Sequence, residues 1–72
     1  MKAKDLQKLT AGEKVNHRHY GPCYFQSYVP NFGPLILPAT EEGKKRLKAD
    51  SGTDAPMLET SLVLLKPYNP NA

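Results

Sequence analysis

The chain has 72 residues, a net charge of +3 and 39% hydrophobic residues, with 7 prolines and 5 glycines. That length allows one domain with a small core and leaves little room for a deep substrate cleft. The proline frequency excludes long helices over most of the chain, and the charge is too modest for a strong nucleic-acid signature. Cys23 is the sole cysteine, so no internal disulfide can form and a bridge-stapled secreted scaffold is not expected. The longest apolar run, Leu62-Val63-Leu64-Leu65, is too short for a signal peptide or a membrane span. The expected setting is the cytoplasm, with no membrane contact.

Residues 1–11 are polar apart from a few positions, and Leu6 and Leu9, three apart, share one face of a short helical turn. This segment reads as a cap on one end of the fold. Gly12-Glu13 reads as a turn. Lys14–His17 alternates as a half-buried strand with Val15 and His17 on one face. Tyr20-Gly21-Pro22 interrupts it, and 23–29 reads as a long aromatic strand. Strict alternation places Phe25, Ser27 and Val29 on one face and Tyr24, Gln26 and Tyr28 on the other. Pro30-Asn31-Phe32-Gly33 is a turn signal, and 34–38 is a short apolar strand between two prolines.

The character changes at 40–48. Thr40 is a helix N-cap, Glu41 and Glu42 follow, and bases close the segment, which suits the helix dipole. A short helix weakened by Gly43 is expected, then a loop over 50–55. Two closing strands, 56–60 and 61–66, with a tight turn near Thr60-Ser61, complete the pattern, and 67–72 reads as a flexible tail.

Short strands that each bury one face tend to close into a small barrel, which also removes exposed edges. The run Gly12-Glu13-Lys14-Val15-Asn16-His17-Arg18-His19-Tyr20-Gly21-Pro22-Cys23-Tyr24-Phe25 resembles the opening of Tudor-like and KOW-like barrels. CarD-type transcription factors, transcription-repair coupling factors and the tail domains of some bacterial helicases carry such an opening. The closing Leu62-Val63-Leu64-Leu65 is similar to their last strand. The resemblance implies a mainly β, five-stranded SH3-like barrel over 12–66, with an insert at 40–55 holding one short helix. It also makes the transcription machinery a candidate partner. Two features depart from the pattern. Cys23 stands where these barrels have their second glycine, and the insert has no counterpart. In this opening His17 is placed to pack on Tyr20 across the turn and to bond a backbone carbonyl.

Four constellations could carry function. His17, His19 and Cys23 have ligand types that zinc accepts, but a structural site takes four, so a turn histidine beside a buried thiol is the favoured reading. Cys23 with a histidine could be a nucleophile and its base, but a lone cysteine in a strand is usually a small core residue. No catalytic residue and no cofactor is assigned. Tyr20, Tyr24, Gln26, Tyr28 and Phe32 form the candidate protein-binding set, because tyrosines combine contact area with a polar tip, although aromatics that belong to the core or cover the open ends of a barrel would explain them equally well. Lys44, Lys45, Arg46 and Lys48 could meet phosphates, although a solvated helix face explains them as well. The expectation is a non-catalytic module that binds another protein as an adaptor, or that regulates or inhibits a larger assembly. A nucleic-acid-binding barrel is the alternative, and self-association is compatible with either.

Overall fold

The structure, a computed structural model, describes residues 1–70. The outermost part of the expected tail, 71–72, lies outside the described residues.

Five antiparallel strands make one sheet: β1 Lys14–His17, β2 Gly21–Val29, β3 Gly33–Pro38, β4 Met57–Leu58 and β5 Leu65–Pro67. Helix α1, Ala3–Gln7, precedes them, and helix α2, Glu41–Ser51, lies between β3 and β4. The order across the sheet is β4-β3-β2-β1-β5. The first four strands therefore form a meander, and β5 returns to pair with β1. The expectation of a mainly β chain with a helix before its last two strands holds. β4 and β5 are the two edges, and the sheet is not closed.

The core follows from alternation. Val15 opposes Cys23 and Phe25 opposes Ile36, and all four side chains are buried. Leu65 joins them from β5, and Leu6 of α1 is fully buried among Val15, Cys23, Ile36 and Leu65. Leu9 packs partly buried on the same cluster, so the segment before β1 caps the core as its leucine spacing predicts.

Three expectations are corrected. The first concerns β2. Phe25 pairs with Ile36 but Ser27 pairs with Leu35, so Gln26 is an extra residue on β2. Such a bulge reverses the alternation beyond it. Tyr28 therefore opposes the buried Pro34 and packs against the core, instead of sharing the outer face with Tyr24. The second concerns the chain end. No tight turn at Thr60-Ser61 pairs the last two strands; β4 pairs with β3, and a 3-10 turn, Leu62–Leu64, leads into β5. Pro67, expected to begin the tail, belongs to β5.

The third correction is the length of α2, which runs through Ser51. The Thr40 hydroxyl accepts from the Gly43 N–H at 3.0 Å, as a cap should. At the other end the Ser51 hydroxyl donates to the Leu47 carbonyl at 2.8 Å. Gly52, with φ of +76°, then turns the chain and donates to the Lys48 carbonyl. Gly43 is not a random weakness. A Cβ there would collide with the Tyr20 carbonyl oxygen and press on Pro38, so a bare backbone is what lets α2 reach the sheet. Leu47 is the buried leucine on that face.

Candidate functional site

Directly opposed residues of antiparallel strands put their side chains on the same side of the sheet. Applied to the observed register, this gives an outer face in three rows. Leu58, Leu35 and Ser27 make the first row, and Leu37, Tyr24 and Lys14 the second. Pro22, Asn16 and Lys66 make the third. Tyr24 and Leu58 are each 38% exposed, and Leu35 and Leu37 are half-buried. The Lys14 ammonium lies 5.6 Å from the Tyr24 ring centroid and 5.2 Å from that of Tyr68, so it bridges two aromatic faces. Among the described residues no strand contains Asp or Glu, and the lysines of the strands, Lys14 and Lys66, both lie on this face.

The five candidate binding residues do not form one patch. Tyr24 is exposed on the outer face, and Gln26 is exposed at the bulge. Phe32, 60% exposed, sits in the β2–β3 turn, separated from Tyr24 by about 17 Å of strand at about 3.3 Å per residue. Tyr28 turns inward. Tyr20 is also drawn in: its ring stacks on His17 with centroids 4.6 Å apart, and its hydroxyl donates to the Asp50 carboxylate at 2.9 Å. Desolvation first, then the Asp50 carboxylate, raises the Tyr20 phenol above its ordinary 10.0. Tyr20 thus ties the β1–β2 turn to α2.

His17 does pack on Tyr20, but its partner is a carboxylate and not a backbone carbonyl. The His19 N–H donates to His17 Nδ1 at 3.0 Å, which leaves the ring proton on Nε2. Nε2–H donates to Glu59 Oε1, and both residues are buried. The Ser61 N–H donates to the second Glu59 oxygen at 3.2 Å. This pair fastens the segment after β4 to the end of β1. Glu59 lies 42 residues after His17, and no local pattern pointed to it.

The chemistry-bearing groups are therefore engaged internally. Cys23 is fully buried, its thiol donates to the Gly21 carbonyl at 3.5 Å, and burial pushes its pKa up to about 12. His19 is exposed in the β1–β2 turn, and among the described residues no group of three His, Cys, Asp or Glu side chains could hold a metal ion.

The basic run is divided. Lys44 pairs with Glu41 at 3.8 Å and Lys48 with Asp54 at 3.6 Å. Arg46 instead lines a cleft of about 480 Å³ with His19, Tyr20 and Glu42. The helix N-terminus beside that cleft already meets Thr40 and two acids, which suits it poorly to a further anion. A second cleft, of about 280 Å³, lies between the end of β1 with Arg18 of the β1–β2 turn and the 3-10 turn with β5. Among the described residues no helix is long and apolar enough to cross a membrane. Comparison of the chain with known protein families, with curated proteins and with solved structures finds no match.

Proposed function

We propose that this chain is a non-catalytic, SH3-like binding module that grips another protein with the outer face of its sheet. The observation that carries the proposal is the apolar strip across that face. Tyr24, Leu58, Leu35 and Leu37 meet there in a chain with few hydrophobic residues to leave outside. Aromatic and aliphatic side chains around a central tyrosine are what protein interfaces favour. The groups that could do chemistry, Cys23 and His17, are buried and bonded internally.

Two features support the barrel part of the reading. The edge strands β4 and β5 are joined only by the short segment 59–64, which draws the two edges toward each other. The bulge at Gln26 bends β2 and increases its twist, which is how a small sheet curls. By the resemblance of its opening, the transcription machinery is the first partner to try. The nucleic-acid alternative has less support, since two of the four bases on α2 face acids.

The test is affinity capture from the native cell with the tagged chain and three variants. Tyr24→Ser and Leu58→Ser should each lose the captured protein, whereas Phe32→Ser, outside the strip, should keep it. Circular dichroism of each variant confirms folding. Capture that survives both strip variants overturns the reading. Tight binding of DNA or RNA that weakens steeply with salt would put the alternative in its place.

A further inference from the structure

We infer that the cleft beside the 3-10 turn receives an acidic segment of a partner protein, with one apolar side chain of that segment seated on Val63 and Leu64. The inference rests on the binding-module reading and gives the partner its chemistry.

The cleft is lined by Asn16, His17, Arg18, Val63, Leu64 and Lys66. Its floor is pinned, because the Arg18 N–H donates to the Leu64 carbonyl at 2.9 Å. In the turn Leu62–Leu64 and the strand after it, Leu62 and Leu65 pack toward the core while Val63 is left outward. Val63 is 84% exposed, the most exposed large apolar side chain among the described residues. An apolar group held out on a rigid, hydrogen-bonded turn is a ready anchor point for a partner side chain.

The charged side chains that line it, Arg18 and Lys66, have one sign. Arg18 and Lys66 are exposed, and neither forms an ion pair among the described residues. Glu59, the acid shortly before the turn, is buried against His17 and does not line the cleft, so it offers no carboxylate there to pair with them. His17 has both ring nitrogens engaged and offers the cleft only a wall. Lys66 and Asn16 are also in the third row of the outer face, next to the row of Lys14 and Tyr24. A bound segment leaving the cleft would therefore run along a surface that carries lysines, aromatic rings and no acid in any strand. Electrostatic complementarity then selects an acidic segment.

The volume argues for a segment and against an enclosed small molecule. About 280 Å³ falls just under the roughly 300–1,000 Å³ of small-molecule sites and suits one or two side chains. The exposed valine that lines the cleft with the cations argues against a phosphate backbone, which is met by runs of bases and gains little from an aliphatic group.

Selection of random displayed peptides of about twelve residues against the full chain tests this. The selected peptides should be rich in Asp and Glu around one Leu, Ile or Phe. Their binding should shift the backbone amide resonances of Arg18, Val63, Leu64 and Lys66. Arg18→Glu and Lys66→Glu should each weaken the best peptide roughly tenfold or more, Val63→Ser should weaken it comparably, and Arg18→Lys should largely retain it. All three substituted positions are exposed, and urea unfolding of each variant checks that the fold is kept. Neutral or basic winners, or shifts that map elsewhere, overturn the acidic-segment inference and leave the binding-module reading standing. So does failure to select any peptide while the Tyr24-dependent capture succeeds. Failure of both experiments overturns both. An oligonucleotide that binds the same amides as tightly as the best peptide also overturns the inference.

Discussion

His17 shows how much one buried side chain can organise. It receives the His19 N–H, stacks on Tyr20 and donates to Glu59, and so joins β1, the β1–β2 turn and the segment after β4. Removing the carboxylate would leave a buried N–H without a partner. Glu59→Ala should therefore cost about 3 kcal/mol, measured by urea unfolding, while Glu59→Gln keeps an acceptor and should cost less than half of that. Cys23 makes a second prediction. Its thiol is held at about 12 against an ordinary 9.0, by desolvation first and then by the Glu59 charge. At about pH 8 the native thiol should react with iodoacetamide about a thousandfold more slowly than the urea-unfolded chain. The unfolded thiol ionises first, so this group leaves stability unchanged below about pH 9 and lowers it as pH rises from there toward about 12. A native thiol that labels at the unfolded rate would contradict its burial. The stacking of His17 on Tyr20 was legible from their spacing, whereas the carboxylate partner was not, because it arrives from a distant strand.

The bulge and the helix show where local rules bend to neighbours. Tyr24 and Tyr28 have the spacing of one strand face, and period-two alternation puts them together. One unpaired residue, Gln26, separates them: Tyr24 stays outside and Tyr28 joins the core. Nothing in the aromatic run itself marks where the register slips, since the slip is set by pairing with β3. In α2 the cap residue, the acids and the closing base were legible, and Thr40→Ala should cost about 1 kcal/mol. Gly43→Ala is the sharper test. Helix propensity favours alanine by about 1 kcal/mol, yet the new methyl group would collide with the Tyr20 carbonyl oxygen and press on Pro38. Steric conflict with backbone should win, with a net loss of about 1–3 kcal/mol in urea unfolding. A stabilised Gly43→Ala variant would show that α2 can move off the sheet at little cost. Gly33 makes a similar demand: at φ of +146°, its missing side chain leaves space for the Glu59 backbone.

A chain of this size has a total stability of only several kcal/mol, so each core residue carries a large share. Leu6 is the clearest case. It comes from a helix of 5 residues that could not persist alone, and it is fully buried against side chains from β1, β2, β3 and β5. Leu6→Ala should cost about 2–5 kcal/mol, enough to shift the urea midpoint strongly and to expose amides in all four strands to hydrogen exchange. A local effect confined to residues 1–11 would mean that α1 is an appendage and not part of the core. The outer face behaves differently at this scale. Its apolar strip spans β2, β3 and β4, and its cations come from β1 and β5. Under the proposed function, binding by such a surface would depend on the whole sheet keeping its register.

Composition and periodicity were enough for a small, mainly β chain, the capped helix at Thr40, the leucine cap before β1 and the shared inward face of Val15 and His17. Each of these depends on neighbours in sequence, where residue spacing maps directly onto geometry. The bulge at Gln26, the burial of Glu59 on His17, the close approach at Gly43 and the outward Val63 depend on contacts between segments far apart along the chain. Those contacts arise only when the strands pair in one register, and that register decides which side chains are buried and which stay exposed.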